Sequence, residues 1–329
     1  MINKNIYIDL HLHLDGSLSR ENYKSLARAC NFPYPEDDNE VDKLLIAPDY
    51  CKTLNDYLAV FVHPLKVLQT KENIANAIKT LTSELKETGL VYVEIRFAPS
   101  LHCEKGLTQE EVIKAAIQGA KEASIKTKLI LCCMRGTDDK INLETVELAK
   151  KYLGEYVVAL DLAGAEGLYE TCTFNKVFKR AKELNIPFTI HAGESDGPSS
   201  VISALDFGAA RIGHGVRAIE DKDLLSRLAN NHILLEVCPK SESQTKAIPS
   251  LEALPLKLFD EYKIPYTICS DDMAVSATNV KMEYDTVQRI FKYSDEEILN
   301  MVITGLKYCF ASDNEKDELI ALVKENFNK

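Results

Sequence analysis

The sequence predicts a (β/α)8 TIM barrel, and three observations lead there. Eight short apolar runs of strand character recur along the 329 residues, with amphipathic, helix-spaced segments between them. No linker, low-complexity stretch or composition break divides the chain, so residues 1–329 read as a single barrel domain. Four of the seven histidines fall at the carboxyl ends of these runs, where such barrels keep their chemistry.

The first run is Tyr7-Ile8-Asp9-Leu10-His11-Leu12-His13-Leu14. Its alternation puts His11 and His13 on one face and Leu10, Leu12 and Leu14 on the other. It stops at Asp15-Gly16-Ser17, a turn signal. From about residue 20 to 86 no strand pattern occurs, while segments 55–62 and 74–81 carry apolar residues at helical spacing. This reads as a helical insertion after the first strand, beside the histidines, and so as a candidate lid. Within it, Pro35-Glu36-Asp37-Asp38-Asn39-Glu40 reads as a solvated turn. Tyr57, Phe61 and Leu65 read as core, with ligand contact left open if the insertion covers the site. The remaining strands are expected at 90–97, 128–134, 156–162, 187–191, 211–214, 233–237 and 265–270. Amphipathic segments at 109–122, 143–152, 175–184 and 221–230 supply helices between them.

Composition narrows the function. Hydrophobic residues make up 46%, enough for a sizeable core. Fifty acidic against 39 basic residues give a formal charge of -11, which disfavours nucleic acid and anionic membranes and suits a small neutral or cationic ligand. No apolar run is long enough to span a bilayer, and Met1-Ile2-Asn3-Lys4-Asn5 lacks the apolar core of a signal peptide. The nine cysteines are scattered without C-x-x-C spacing, as expected of reduced core residues in a cytoplasmic protein.

The chemistry sits at the strand ends. A lone histidine there would be a packed polar residue, but four at equivalent positions beside paired acids argue for one mouth. His11, His13 and His191 offer nitrogen ligands and Asp271 an oxygen, a donor set that suits zinc with a position left for water. Zinc would lower the pKa of that water toward neutrality. His214 is left over as a base or electrostatic partner of the water. Glu194, three residues past His191 in a glycine-flanked loop, could protonate a ring nitrogen or leaving group if burial raises its pKa. Gly193 and Gly164 would let backbone approach a ligand closely, and Asp272 could accept a hydrogen bond from substrate. The bland readings are that Asp15 satisfies the Gly16 turn, that Asp272 caps the next helix and that Gly164 is a loop glycine. His63, His102 and His232 lack such placement and read as structural.

Taken together, His11-Leu12-His13-Leu14-Asp15-Gly16-Ser17, Asp161-Leu162-Ala163-Gly164, His191-Ala192-Gly193-Glu194, Arg211-Ile212-Gly213-His214-Gly215 and Ser270-Asp271-Asp272 resemble the adenosine deaminase family of the amidohydrolase superfamily. Val93-Glu94-Ile95-Arg96-Phe97-Ala98-Pro99 and Leu235-Glu236-Val237-Cys238-Pro239 extend the likeness, which runs in order from about residue 6 to 284. The resemblance implies hydrolytic deamination of adenosine and 2'-deoxyadenosine to inosine and 2'-deoxyinosine, with a purine nucleoside as the small-molecule substrate. It assigns His11, His13, His191 and Asp271 to one zinc ion per chain, Glu194 to proton transfer at purine N1, and His214 to the attacking water. It sets Asp272 against that water and N7, Gly164 against N3, and His13 and Asp15 along the ribose. Related hydrolases with two metals often carry a modified lysine at the end of strand four; residues 157–164 contain none, which favours a single ion. Two departures stand out. Lys240-Ser241-Glu242 follows Cys238-Pro239 where Ser-Asn is usual, and Cys269-Ser270 precedes the Asp pair. Aminohydrolases acting on adenine, a methylated adenosine phosphate or a modified adenine nucleoside remain alternatives. So does a catalytically silent binding protein, although Glu194, His214 and all four ligand candidates are present.

Overall fold

Parallel strands pair strictly in sequence order. In the computed structural model, β1 (Tyr7–His13), β2 (Leu90–Phe97), β3 (Lys126–Met134) and β4 (Val157–Ala163) form one run of neighbours. β5 (Thr189–Ala192), β6 (Arg211–His214), β7 (Leu234–Val237) and β8 (Tyr266–Ile268) form the other. Short bridges close both seams into a barrel. The Leu160 amide donates to the Pro187 carbonyl at 3.0 Å, joining β4 to β5. His13 donates to the Asp271 carbonyl at 2.8 Å and Asp271 donates back to the His11 carbonyl at 2.9 Å. The structure describes residues 4–48 and 51–329; residues 1–3, part of the amino-terminal stretch read above, lie outside this range.

The strands are buried on both faces, as parallel strands covered by helices must be. Their limits depart from the sequence expectation for local reasons. β5 starts at Thr189 because Pro187 has no N–H for the ladder and joins only through its carbonyl. β8 stops at Ile268, and by Asp271 the chain has turned into the left-handed region at φ 62°.

Between β1 and β2 lie helices Arg20–Ala29, Asp38–Leu45, Leu54–Leu58, Val62–Val67 and Lys71–Glu87. The acidic stretch read as a solvated turn is in part helical. Asp37 is an N-cap whose carboxylate accepts from Asn39 and Glu40, and Asp38 begins the helix. After β8 come helices Val280–Phe291, Asp295–Tyr308 and Asp313–Asn328. The second of these lies on the β1–β8 seam, where Gly305 is required: a Cβ there would meet Thr267 Oγ1 at 2.7 Å and Ile8 Cδ1 at 2.8 Å. Among the described residues, no helix is long and apolar enough to cross a membrane.

Candidate active site

The alternation of β1 delivers His11 and His13 to the same mouth, and β5 delivers His191 opposite them. Asp271 completes the cluster from the turn after β8. His191 Nε2 lies 3.0 Å from His11 Nε2 and 3.1 Å from His13 Nε2. Asp271 Oδ1 lies 3.2 Å from the first and 3.4 Å from the second. Each of the four side chains offers a ligand atom within 4.8 Å of the others.

Carboxylates behind the cluster decide which imidazole atom faces inward. Glu236 on β7 lies 2.8 Å from His11 Nδ1, and Asp161 on β4 lies 2.9 Å from His191 Nδ1. Each carboxylate therefore accepts a hydrogen bond from Nδ1–H and leaves Nε2 bare. Bare nitrogen lone pairs about 3 Å apart, facing a carboxylate oxygen, repel one another unless a cation sits among them. The donor set fits a metal ion on that ground. Burial disfavours the imidazolium form of His13 and His191, which keeps both available as ligands. Burial also works to raise Asp271, but His11, His214 and His13 outweigh it and hold the carboxyl well below its usual range.

The supporting acids are themselves held by buried arginines. Arg96 on β2 reaches Asp161 at 2.9 Å and Glu236 at 2.8 Å, and Arg211 on β6 reaches Glu236 at 2.7 Å and Glu94 at 2.6 Å. Burial alone would raise Asp161, but His191 and Arg96 keep it ionised. Barrel interiors are normally filled by branched apolar side chains. Here paired charges occupy the layer beneath the histidines.

Two further groups flank the cluster. His214, at the end of β6 with φ 65°, has Nε2 3.7 Å from Glu194 Oε2 and Nδ1 3.6 Å from Glu242 Oε1. These are ion-pair distances rather than hydrogen bonds. Burial raises the pKa of Glu194, with Asp271 and Glu166 adding to the effect and His214 and His191 opposing it. Non-glycine residues at positive φ are uncommon, and of the nine among the described residues two are His214 and Asp271, at the site itself.

Above the cluster is a cavity of about 260 Å³. Asp15, Gly164, Glu194, His214, Asp271 and Asp272 line its polar side, while Leu54, Tyr57, Phe61 and Leu65 of the insertion line its apolar side. Tyr57, Phe61 and Leu65 thus face the cavity instead of serving only as core. Asp15 Oδ1 and Asp272 Oδ1 are buried without a partner. Burial pushes the Asp15 carboxyl up to about 6, and burial with Asp271 and Asp15 pushes Asp272 well above its usual range. Gly16 is obligatory here, because a Cβ would collide with Asp272 Oδ1 at 1.7 Å. Gly164 has φ 101°, which suits glycine alone.

The nine residues assigned from sequence to metal, proton transfer or substrate therefore lie together at one mouth, while Gly193 packs against Val201 behind it. Several others join them, among them Tyr57, read from sequence as core, and Arg135, which that reading passed over. Tyr57 donates to Asp272 Oδ2 at 3.1 Å and bonds Ser276 Oγ at 2.7 Å. Arg135 donates to the carbonyls of Tyr169 and His191 and to Thr171 Oγ1. Asp161, Glu236 and Arg96 lay within quoted motifs, yet only the fold reveals what they hold.

A family model described as adenosine deaminase matches residues 7–326. The chain is 42% identical to the adenosine deaminase of Haemophilus ducreyi, over 97% of this chain and 96% of that one. It is 36% identical to the adenosine deaminase of Enterococcus faecalis, over 94% and 93%. Among solved structures, an adenine deaminase from Arthrobacter aurescens superposes with a TM-score of 0.88 at 26% identity, covering 98% and 99% of the two chains. The N6-methyl-AMP deaminase of Arabidopsis thaliana superposes with a TM-score of 0.85 at 25% identity, covering 97% and 96%.

Proposed function

Because the chain belongs to the adenosine deaminase family, we propose that it hydrolyses adenosine and 2'-deoxyadenosine to inosine and 2'-deoxyinosine, releasing ammonia. The observation that carries this is a buried carboxyl with a raised pKa, Glu194, beside four converging metal-ligand side chains at the floor of one cavity. His11, His13, His191 and Asp271 would hold one zinc ion, a Lewis acid that makes a nearby water easier to deprotonate. The remaining work belongs to the chain. Glu194, whose burial favours the protonated form, supplies a proton to purine N1 and so makes C6 electrophilic. His214, next to Glu194, is buried yet ringed by acids that raise its pKa to about 10, and it orients the attacking water as its electrostatic partner. Asp272, anchored by Tyr57, keeps Oδ1 free for the water and purine N7. The Gly164 backbone meets N3, and the apolar insertion residues cover the base and exclude bulk water.

Substrate choice follows from the cavity's charge. Asp15, with a pKa near 6, is mostly ionised at neutral pH and offers its unpartnered oxygen to the ribose 5'-hydroxyl, with His13 alongside. Arg135 is the only lysine or arginine lining the cavity among the described residues, and its terminal nitrogens are taken by Tyr169, Thr171 and His191. A 5'-phosphate would therefore meet Asp15 without a compensating cation. This supports a nucleoside over the nucleotide named for the Arabidopsis protein, and over free adenine, which would leave Asp15 unpaired. The nine unpaired cysteines support a cytoplasmic setting.

The test compares kcat/KM for adenosine, 2'-deoxyadenosine, AMP and adenine by ultraviolet absorbance at one pH and salt concentration. Adenosine and 2'-deoxyadenosine should exceed the other two by roughly 10²-fold or more, the scale of several kcal/mol of like-charge repulsion or a lost charged contact. Asp15→Asn should narrow the gap between adenosine and AMP. Equal turnover of AMP or adenine would reject the ribose role of Asp15.

A further inference from the structure

Glu166 lies two residues beyond Gly164 and is almost wholly buried. Its carboxylate accepts from five donors. Oε1 takes the Gly193 amide at 2.6 Å and the Ser200 hydroxyl at 2.5 Å. Oε2 takes the amides of Glu194 at 3.0 Å, Ser195 at 2.7 Å and Asp196 at 2.9 Å. Four consecutive N–H groups converging on one anion form a nest, and the left-handed φ of 73° at Gly193 turns the first of them inward. Gly193 has no room for another residue, since a Cβ would meet Val201 Cγ2 at 2.7 Å.

Among the described residues, no hydrogen bond holds the Glu194 carboxyl itself; its ion-pair neighbour is His214 at 3.7 Å. The direction of that side chain is therefore set by its own backbone, and that backbone is set by Glu166. We propose that Glu166 is a positioning residue, whose carboxylate gathers the 193–196 turn and thereby aims Glu194 at the cavity. The same network reaches the metal cluster. Ser200 Oγ is 2.7 Å from Thr171 Oγ1, which accepts from Arg135 Nη2 at 2.9 Å, and Arg135 Nη2 also donates to the His191 carbonyl at 2.6 Å. Glu166 thus couples the proton-transfer group to the strand that carries a metal ligand. A purely structural acid would stabilise the loop without influencing the proton step.

This inference rests on the reading that Glu194 transfers a proton during adenosine deamination, and a double-mutant cycle separates the two. Glu166→Gln keeps the volume but turns one acceptor into a donor facing donors. In zinc-loaded, folded protein it should lower kcat for adenosine by ~10- to 30-fold with KM changed less than ~3-fold. Glu166→Asp, which retains two acceptor oxygens, should recover part of that loss. In a Glu194→Gln background the same change should alter kcat by less than ~2-fold, because nothing remains to be aimed. Full kcat in Glu166→Gln, or an equal loss in both backgrounds, overturns the proposal. Near-normal kcat in Glu194→Gln alone overturns the underlying reading instead. If Glu166→Gln does not fold, the cycle is run with Ser200→Ala, which removes a single donor. A loss of ~3-fold confined to the Glu194 background supports the proposal, and no loss rejects it.

Discussion

His191 illustrates how one side chain is prepared from behind. Asp161 fixes its tautomer at 2.9 Å, Arg96 holds Asp161, and Arg135 holds the His191 carbonyl. Asp161→Asn keeps the shape but lets an amide N–H face Nδ1, which turns the bare lone pair away from the cavity. Metal affinity should fall by ~10- to 100-fold, the usual effect of losing such a partner, and chelator competition on folded protein measures it. Unchanged affinity would mean that the tautomer is fixed elsewhere. Glu194→Gln should behave oppositely, retaining metal while kcat drops by at least ~10²-fold. The difference between these residues also explains what the sequence could reveal. His11, His13, His191 and Asp271 were legible because a set of candidate metal ligands stands out as rare residue types at strand ends. Asp161 and Glu236 stood in recognisable motifs, but their partners come from other strands. Glu166 was invisible, because its partners are backbone N–H groups that no residue type announces.

The insertion and the last helices show the same limit for whole elements. Helical spacing identified segments 55–62 and 74–81 of the insertion, the first of which the structure breaks after Leu58, but a period tells which face is apolar and not what it meets. The structure docks this region on the segment after β8. Ala47 donates to the Val275 carbonyl at 2.8 Å, and Tyr57 packs with Val60 and Val275 while bonding Asp272 and Ser276. The helix Val280–Phe291 brings a second buried acid to this neighbourhood. Glu283 accepts from the Thr278 hydroxyl and the Lys240 amide, and burial pushes its pKa from 4.5 up to about 7, with Glu242 adding to the effect. The folded state therefore holds this proton more tightly than the unfolded chain. Its stabilising contribution is complete below about 4.5 and is lost as pH rises through about 7. Glu283→Gln cannot ionise, so its melting temperature relative to the parent should rise between pH 5 and pH 8. A constant difference across that range would show that Glu283 does not titrate there.

Metal ligation by the four-residue cluster would join parts of the barrel that the backbone ladder joins only at its seams. His11 and His13 come from β1, His191 from β5 across the barrel, and Asp271 from the turn that closes β8 onto β1. Without an ion, these groups leave bare nitrogens and a carboxylate about 3 Å apart in a buried site. An ion bound to the folded chain and not to the unfolded one stabilises by mass action, about 4 kcal/mol when its concentration is a thousandfold above Kd. Spread over the unfolding entropy of a chain this long, that corresponds to a melting temperature roughly 6 °C higher. We expect about one zinc per chain by metal analysis, since the described residues of β4 include no lysine that could bridge a second ion. Chelation should lower the melting temperature by that amount, and restored zinc should return it. His13→Ala should lower the bound zinc and shrink the chelator effect together, because both depend on the same four side chains. Two tightly held ions per chain, or a melting temperature indifferent to chelation in a protein that has lost its zinc, would contradict a single ion fastening the two halves of the barrel.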